Sequence, residues 1–221
     1  CRDRSASLHW VEPLSGDWTL GLPGRIQRSN AAVARGALHA LAQHGWQLND
    51  TTIRHGFAEA TWKGRLQTVL WRGRPVRLDG AHNPPAAVQL AQERLAWPGQ
   101  DHGIAWILAI QAHKQAPAML KVLSQPQDQV WIVPVPDHRS WTRSQLVQLN
   151  PGWDDRIHQC DDVETALEEI LQAGPWPKAL HSHFCLVLFQ VFLLPILNFY
   201  SYLYYLLYTI FLALYQKHMI V

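Results

Sequence analysis

Leu78-Asp79-Gly80-Ala81-His82-Asn83-Pro84 joins a β-like run, Pro75-Val76-Arg77-Leu78, to a helix-like run from Pro85 to Ala96. An acidic residue, a glycine turn, an imidazole and a proline at a helix entrance make a strand-to-helix corner. Open α/β sheets bind nucleotides at such corners, beyond the carboxyl ends of their strands.

On the amino side of the corner, Leu66 to Trp71 and Val76 to Leu78 read as paired strands joined by Arg72-Gly73-Arg74-Pro75,. On its carboxyl side, Pro84 to Ala96 is a helix with proline in its first turn, where the missing N–H costs nothing. Asn83 is its expected N-cap. Ile104 to Ile110 then reads as a buried strand, Ala116 to Leu123 as a helix, Val130 to Val133 as a strand and Thr142 to Leu149 as a short helix. Asp161 and Glu164 have capping-box spacing before Val163 to Ala173, whose apolar positions share one face. Strands alternating with helices predict a Rossmann-like α/β domain with a mostly parallel sheet.

Upstream the pattern is all-helical. Ser29 and Asn30 stand as N-cap candidates before Ala31 to Gln43, with Val33, Ala37, Leu38 and Leu41 at helical spacing and Gly45 as a stop signal,. Thr51-Thr52-Ile53 opens a second short helix ending near Ala60. The expected boundaries are residues 1–60 for the end of a preceding domain, 61–178 for the α/β domain and 179–221 for an apolar tail.

Three side chains near the corner have the chemistry of a nucleotide site. Arg65 follows Gly64, and its permanent charge and rigid fork of donors suit phosphate oxygens or sugar hydroxyls; a plain surface arginine is the bland alternative. Asp79 ends a strand, where a carboxylate can accept both ribose hydroxyls; capping the following helix is its alternative. His82 can donate to phosphate or answer charge developing during transfer chemistry, or it is structural.

Together with Trp62-Lys63-Gly64-Arg65-Leu66-Gln67, the corner resembles the C-terminal domain of the folylpolyglutamate synthase/dihydrofolate synthase family, within the Mur ligases. The likeness runs from about Leu20 to Gly174, and Asp-Gly-Ala-His-Asn-Pro separates this branch from the murein ligases. It implies an ATP-dependent acid–amino-acid ligase that adds glutamate to folate or dihydropteroate through an acyl phosphate. ATP and Mg2+ are the implied cofactors; folate or dihydropteroate and L-glutamate are the implied substrates of a cytoplasmic monomer. It further implies ATP contacts from Arg65 and Asp79, a cleft-facing His82, and an Asn30 that reaches the adenine side; helix capping by Asn30 is compatible with that role.

This sequence departs from the family pattern in four places. Lys63 replaces a proline, and His113-Lys114-Gln115 keeps only the lysine of Asp-Lys-Asp. The family's closing Gly-Ser-Leu-Tyr-Leu strand, expected after Lys178, is missing. No GxxxxGK[ST] match occurs,, so the P-loop, the magnesium ligands and the carbamylated lysine are expected upstream of Cys1, and the chain alone is expected to be inactive.

A net charge of +2, with scattered Lys and Arg, gives no nucleic-acid footprint,. Three widely spaced cysteines form no disulfide framework or zinc motif,. His181, His183 and Cys185 have no carboxylate partner and no helical spacing, so no metal site is assigned. The tail is another composition altogether: all six tyrosines lie at or after Tyr200 and all eleven tryptophans at or before Trp176. Body and tail also differ in codon leaning, G/C-rich against A/T-rich. Residues 184–215 exceed the ~20 that cross a bilayer. Three readings stay open: out-of-frame or foreign sequence, a membrane anchor, and an apolar core strand and helix. The anchor reading makes the chain a non-catalytic membrane-bound remnant with a Rossmann-like body.

Overall fold

The computed structural model describes residues 8–172, apart from 43, 47, 99, 101 and 102, together with the backbone of residues 184–188. The described residues fall into two compact units that part between Trp62 and Lys63.

The first unit holds α1 (Ile26–Ala42) and α2 (Asp50–Glu59). Its core gathers Leu14, Trp18, Ala32, Leu38 and Ile53. The expected cap at Asn30 is corrected: α1 begins at Ile26, and Asn30 lies inside it, with Nδ2 donating to Gln27 Oε1 at 3.0 Å. The extra turn carries Arg28, whose Nη1 donates to the Ser15 carbonyl at 2.5 Å and ties the 14–18 segment to the helix. The expected apolar face is also rotated, since Val33 is exposed while Ala32 is buried. α2 opens as expected, one residue earlier, under an Asn49 cap that accepts the Thr52 N–H at 2.8 Å.

The second unit is built on a six-stranded sheet. Its strands are β1 (Gln67–Trp71), β2 (Arg74–Asp79), β3 (Ala105–Ala109), β4 (Gln129–Ile132), β5 (Ile157–Gln159) and β6 (Phe184–Leu188), in the order β1-β2-β6-β3-β4-β5. Only β1 runs antiparallel to its neighbour. The β1–β2 hairpin turns on Arg72 and Gly73, both at positive φ (48° and 76°). That geometry matches the right-handed twist of the two strands. Pro75, read from sequence both as the end of the turn and as the start of the β-like run, lies in β2 opposite Leu70.

Alternation along β3 sorts the core into two faces. Trp106 and Leu108 face α3 (Pro84–Arg94), α4 (Ala116–Leu123) and α5 (Arg143–Leu149), through Leu90, Met119, Leu120 and Leu146. Ala105, Ile107 and Ala109 face α6 (Val163–Gln172), through Ala166, Leu167 and Ile170. Burial on both faces explains why β3 is an unbroken apolar run. Two caps differ in detail from the sequence reading. Thr142 caps α5 in a capping box with Gln145. Asp162, not Asp161, accepts the Thr165 N–H at 2.7 Å at the start of α6, because the helix begins one residue beyond it. The 3-10 turn Pro151–Arg156 and β5 have no counterpart in the sequence reading.

At the amino ends of β3 and β4 a buried ion pair ties the unit together. Asp128 (0% exposed) accepts two bonds from Arg94 (1% exposed), and one each from the Ile104 N–H, the Gln125 N–H and the Trp106 indole. Satisfying the carboxylate this fully is what makes a buried charge tolerable; stranding one partner of such a pair costs about 3–5 kcal/mol.

The Gly-Ser-Leu-Tyr-Leu sequence is absent, but a strand of other sequence, β6, does form after Lys178. Its backbone pairs in parallel with β2 (Val76↔Phe184 to Asp79↔Val187) and with β3 (Ala105↔Phe184 to Ala109↔Leu188). The first five residues of the apolar run therefore take the core-strand reading. His181, His183 and residues 189–215 lie outside the described residues. Among the described residues no helix is long and apolar enough to cross a membrane.

Candidate functional site at the carboxyl end of β2

β2 ends in Asp79, and the chain leaves the sheet through Gly80, Ala81 and His82 before Asn83 caps α3. Asn83 Oδ1 accepts the Ala86 N–H at 2.9 Å, so the alternative role for Asp79, as that helix's cap, is excluded. The Asp79 carboxylate instead binds backbone on both sides. Oδ1 accepts the Ala81 N–H at 2.8 Å and Oδ2 the Leu66 N–H at 2.9 Å. A third link runs from the Gly80 N–H to the Gly64 carbonyl at 2.8 Å. The turn carrying Arg65 is thereby fastened to the corner.

Local conformation explains the turn. Gly64 has φ 71°, which glycine adopts without a steric penalty, and its N–H is held by Gln67 Oε1 at 2.9 Å,. Arg65 follows, and a Cβ built on residue 80 would stand 3.6 Å from its Nη1. The guanidinium thus lies against the backbone of Gly80. His82 is half-buried, with Nδ1 3.0 Å from the Gly80 carbonyl. A carbonyl can only accept, so Nδ1 carries the proton, and Nε2 is the ring nitrogen left for a ligand.

Burial pushes the Asp79 carboxyl above the ordinary value of 3.8. The Leu66 and Ala81 N–H groups and the Arg65 charge pull it back, and Glu93 on α3 adds to the push. Each carboxylate oxygen has a second lone pair beyond its N–H partner, so two hydroxyl donors can still be accepted. The group offers a cation, a two-oxygen acceptor and an imidazole on one corner, the complement of a phosphorylated ribose. No group of three or more His, Cys, Asp or Glu suited to a metal ion occurs among the described residues.

Three of the four residues singled out in the sequence, Arg65, Asp79 and His82, stand on this corner in the second unit. Asn30 belongs to the first unit, on an exposed position of α1. Lys114 follows β3, and its carbonyl accepts the Trp141 indole N–H at 2.9 Å. The Gln111↔Ser140 bridge and the Ala112 N–H to Arg139 carbonyl bond (2.8 Å) join the same two loops. Sequence reasoning missed Leu66, which has φ 44° and carries one of the N–H groups bound by Asp79. Nothing in a leucine between Arg and Gln announces that conformation.

Residues 65–144 match the family model described as "Dihydrofolate synthetase, C-terminal domain". A dihydrofolate synthase/folylpolyglutamate synthase of Buchnera aphidicola subsp. Baizongia pistaciae is 26% identical over 180 residues, covering 76% of this chain and 41% of that protein. Mycobacterium tuberculosis folylpolyglutamate synthase complexed with ADP superposes with a TM-score of 0.63 at 26% identity, over 77% of this chain and 39% of the other. A bifunctional folylpolyglutamate synthase/dihydrofolate synthase from Yersinia pestis, complexed with AMPPNP and a Mn ion, gives a TM-score of 0.59 at 26% identity, over 80% and 38%. The chain therefore spans about two fifths of the length of these relatives.

Proposed function

Since this chain belongs to the folylpolyglutamate synthase/dihydrofolate synthase family of Mur-type ligases and matches its C-terminal portion, we propose that it supplies the C-terminal wall of an ATP-dependent ligase. In the whole reaction a pteroate or folate carboxylate attacks the γ-phosphorus of ATP, giving an acyl phosphate and ADP. The glutamate amine then attacks the acyl carbon, the amide bond forms, and phosphate leaves. Residues 1–60 are assigned to the end of the central ATP-binding domain and 61–178 to the C-terminal domain.

The observation that carries this reading is the corner itself, where Arg65, Asp79 and His82 converge on the carboxyl end of a parallel strand. Asp79 accepts the ribose hydroxyls, Arg65 meets phosphate oxygens, and His82 presents Nε2 toward the reacting groups. Asn30 meets the adenine. The described residues provide no acidic cluster for Mg2+, so the metal belongs with the triphosphate-holding part, where it offsets phosphate charge. The chain on its own is inactive, because no P-loop sequence is present to grip the triphosphate,. It works as a cytoplasmic monomer.

A hybrid enzyme tests this reading. When residues 65–144 replace the matching segment of the Mycobacterium tuberculosis relative, ATP-dependent glutamate addition is expected to persist. His82→Ala in that hybrid is expected to slow turnover by roughly 10²–10⁴-fold, the usual worth of a positioned acid–base group. A hybrid that folds but never ligates would contradict the assignment.

A further inference from the structure

The Asp79 carboxylate organises the corner before any ligand arrives. Two bonds tie residues 64–66 to residues 79–81, and one of them, from the Leu66 N–H, ends on it; its other oxygen takes the Ala81 N–H within its own segment. The N–H it takes from the far segment belongs to Leu66, whose φ of 44° lies in a region costing a residue with a Cβ about 1–2 kcal/mol,. Leu66 is also packed against the core on the α3–α4 face. Its side chain is held by packing and its N–H by the carboxylate, and Arg65 sits between it and the left-handed Gly64.

We propose that Asp79 and Leu66 are positioning residues for Arg65: the carboxylate clasp holds Leu66 left-handed, and that conformation lays the guanidinium against Gly80, ready for an anionic oxygen. The clasp is independent of any ligand; only the identity of the anion, a nucleotide phosphate, rests on the function proposed above. Strained backbone persists where surrounding bonds over-determine it, and such strain serves pre-organisation.

The clasp has an acid signature. Protonating Asp79 turns one of its two acceptor oxygens into a donor facing a backbone N–H, so one link is lost. The charged groups that face it are Arg65 from the turn and Glu93 from α3, with His82 two residues beyond Gly80.

The test uses the ligand-free chain and its backbone amide signals. In the wild type, the Leu66 and Ala81 amides are expected to move along one common acid titration. In Asp79→Asn, the Leu66 amide is expected to exchange with solvent about tenfold faster, the equivalent of one hydrogen bond. Amides of β4 and α4 should keep their rates. Should that variant unfold, Leu66→Pro decides, since it removes the clasped N–H and fixes φ at about −65°: amides of β4 and α4 should keep their rates while the Arg65 Nε–H signal averages. A Leu66 amide that ignores Asp79→Asn, separate titrations for Leu66 and Ala81, or an unchanged Arg65 signal in Leu66→Pro would overturn the proposal. Adding ADP afterwards separates the two readings. If the clasp titrates as described and ADP then moves no signal, the nucleotide assignment fails while the clasp stands.

Discussion

Asp79 and three exposed aspartates respond to acid in opposite senses. Ser15 and Arg54 hold Asp17 below the ordinary carboxylate value, Arg35 does so for Asp50, and the Thr165 N–H does so for Asp162. Each supports the fold above its unfolded value and loses that support as pH falls. Burial raises Asp79 instead, so in the window between 3.8 and its folded value the native state binds more protons than the unfolded chain. Stability from this group is then full below the unfolded value and declines as pH rises through the folded one. Asp79→Asn removes the titration. The variant's unfolding free energy, measured in urea against the wild type, is therefore expected to gain on the wild type as pH is raised from 3.8 toward neutrality. A difference that stays flat across that window would show that burial does not dominate at Asp79.

β6 is the element on which the second unit turns, because it is late in sequence and central in the sheet. Leu186 stands in register with Leu78 on one side and Ile107 on the other. Proline there removes a ladder hydrogen bond in mid-sheet, where it is not tolerated. Leu186→Pro is expected to cost about 3 kcal/mol or more and to abolish cooperative unfolding of the second unit, read by circular dichroism. An unchanged transition would mean that β6 is dispensable. The other elements show how far a single sequence carries. β1 and β2, α3 and α4 were legible because their signals are local: Gly73 at a hairpin, Asn83 with Pro84 and Pro85 at a helix entrance. The start of α1 was not, because Ser29-Asn30 imitates a cap while the tertiary grip of Arg28 on the Ser15 carbonyl extends the helix. β5 has three residues, too few to show a period. β6 was hidden because an apolar run without turn signals reads alike as a buried strand or a membrane span. At the candidate site, residue types singled out Arg65, Asp79 and His82 as candidates, and the family resemblance supplied the roles expected of them. The Leu66 conformation arises only once β2 has brought Asp79 alongside it.

At the scale of the whole molecule, the chain spans about two fifths of each relative's length, and the function proposed above gives it one wall of a nucleotide site. Nucleotide contact by the corner alone should then be weak, in the millimolar range, equivalent to about −4 kcal/mol. The most direct measurement is a titration of the chain with ADP, followed through the amide signals of residues 64–67 and 80–83. Saturable shifts confined to those two segments, and lost in Arg65→Ala, are the predicted result. Shifts elsewhere, or a response that Arg65→Ala leaves intact, would contradict the assignment of this corner to the nucleotide.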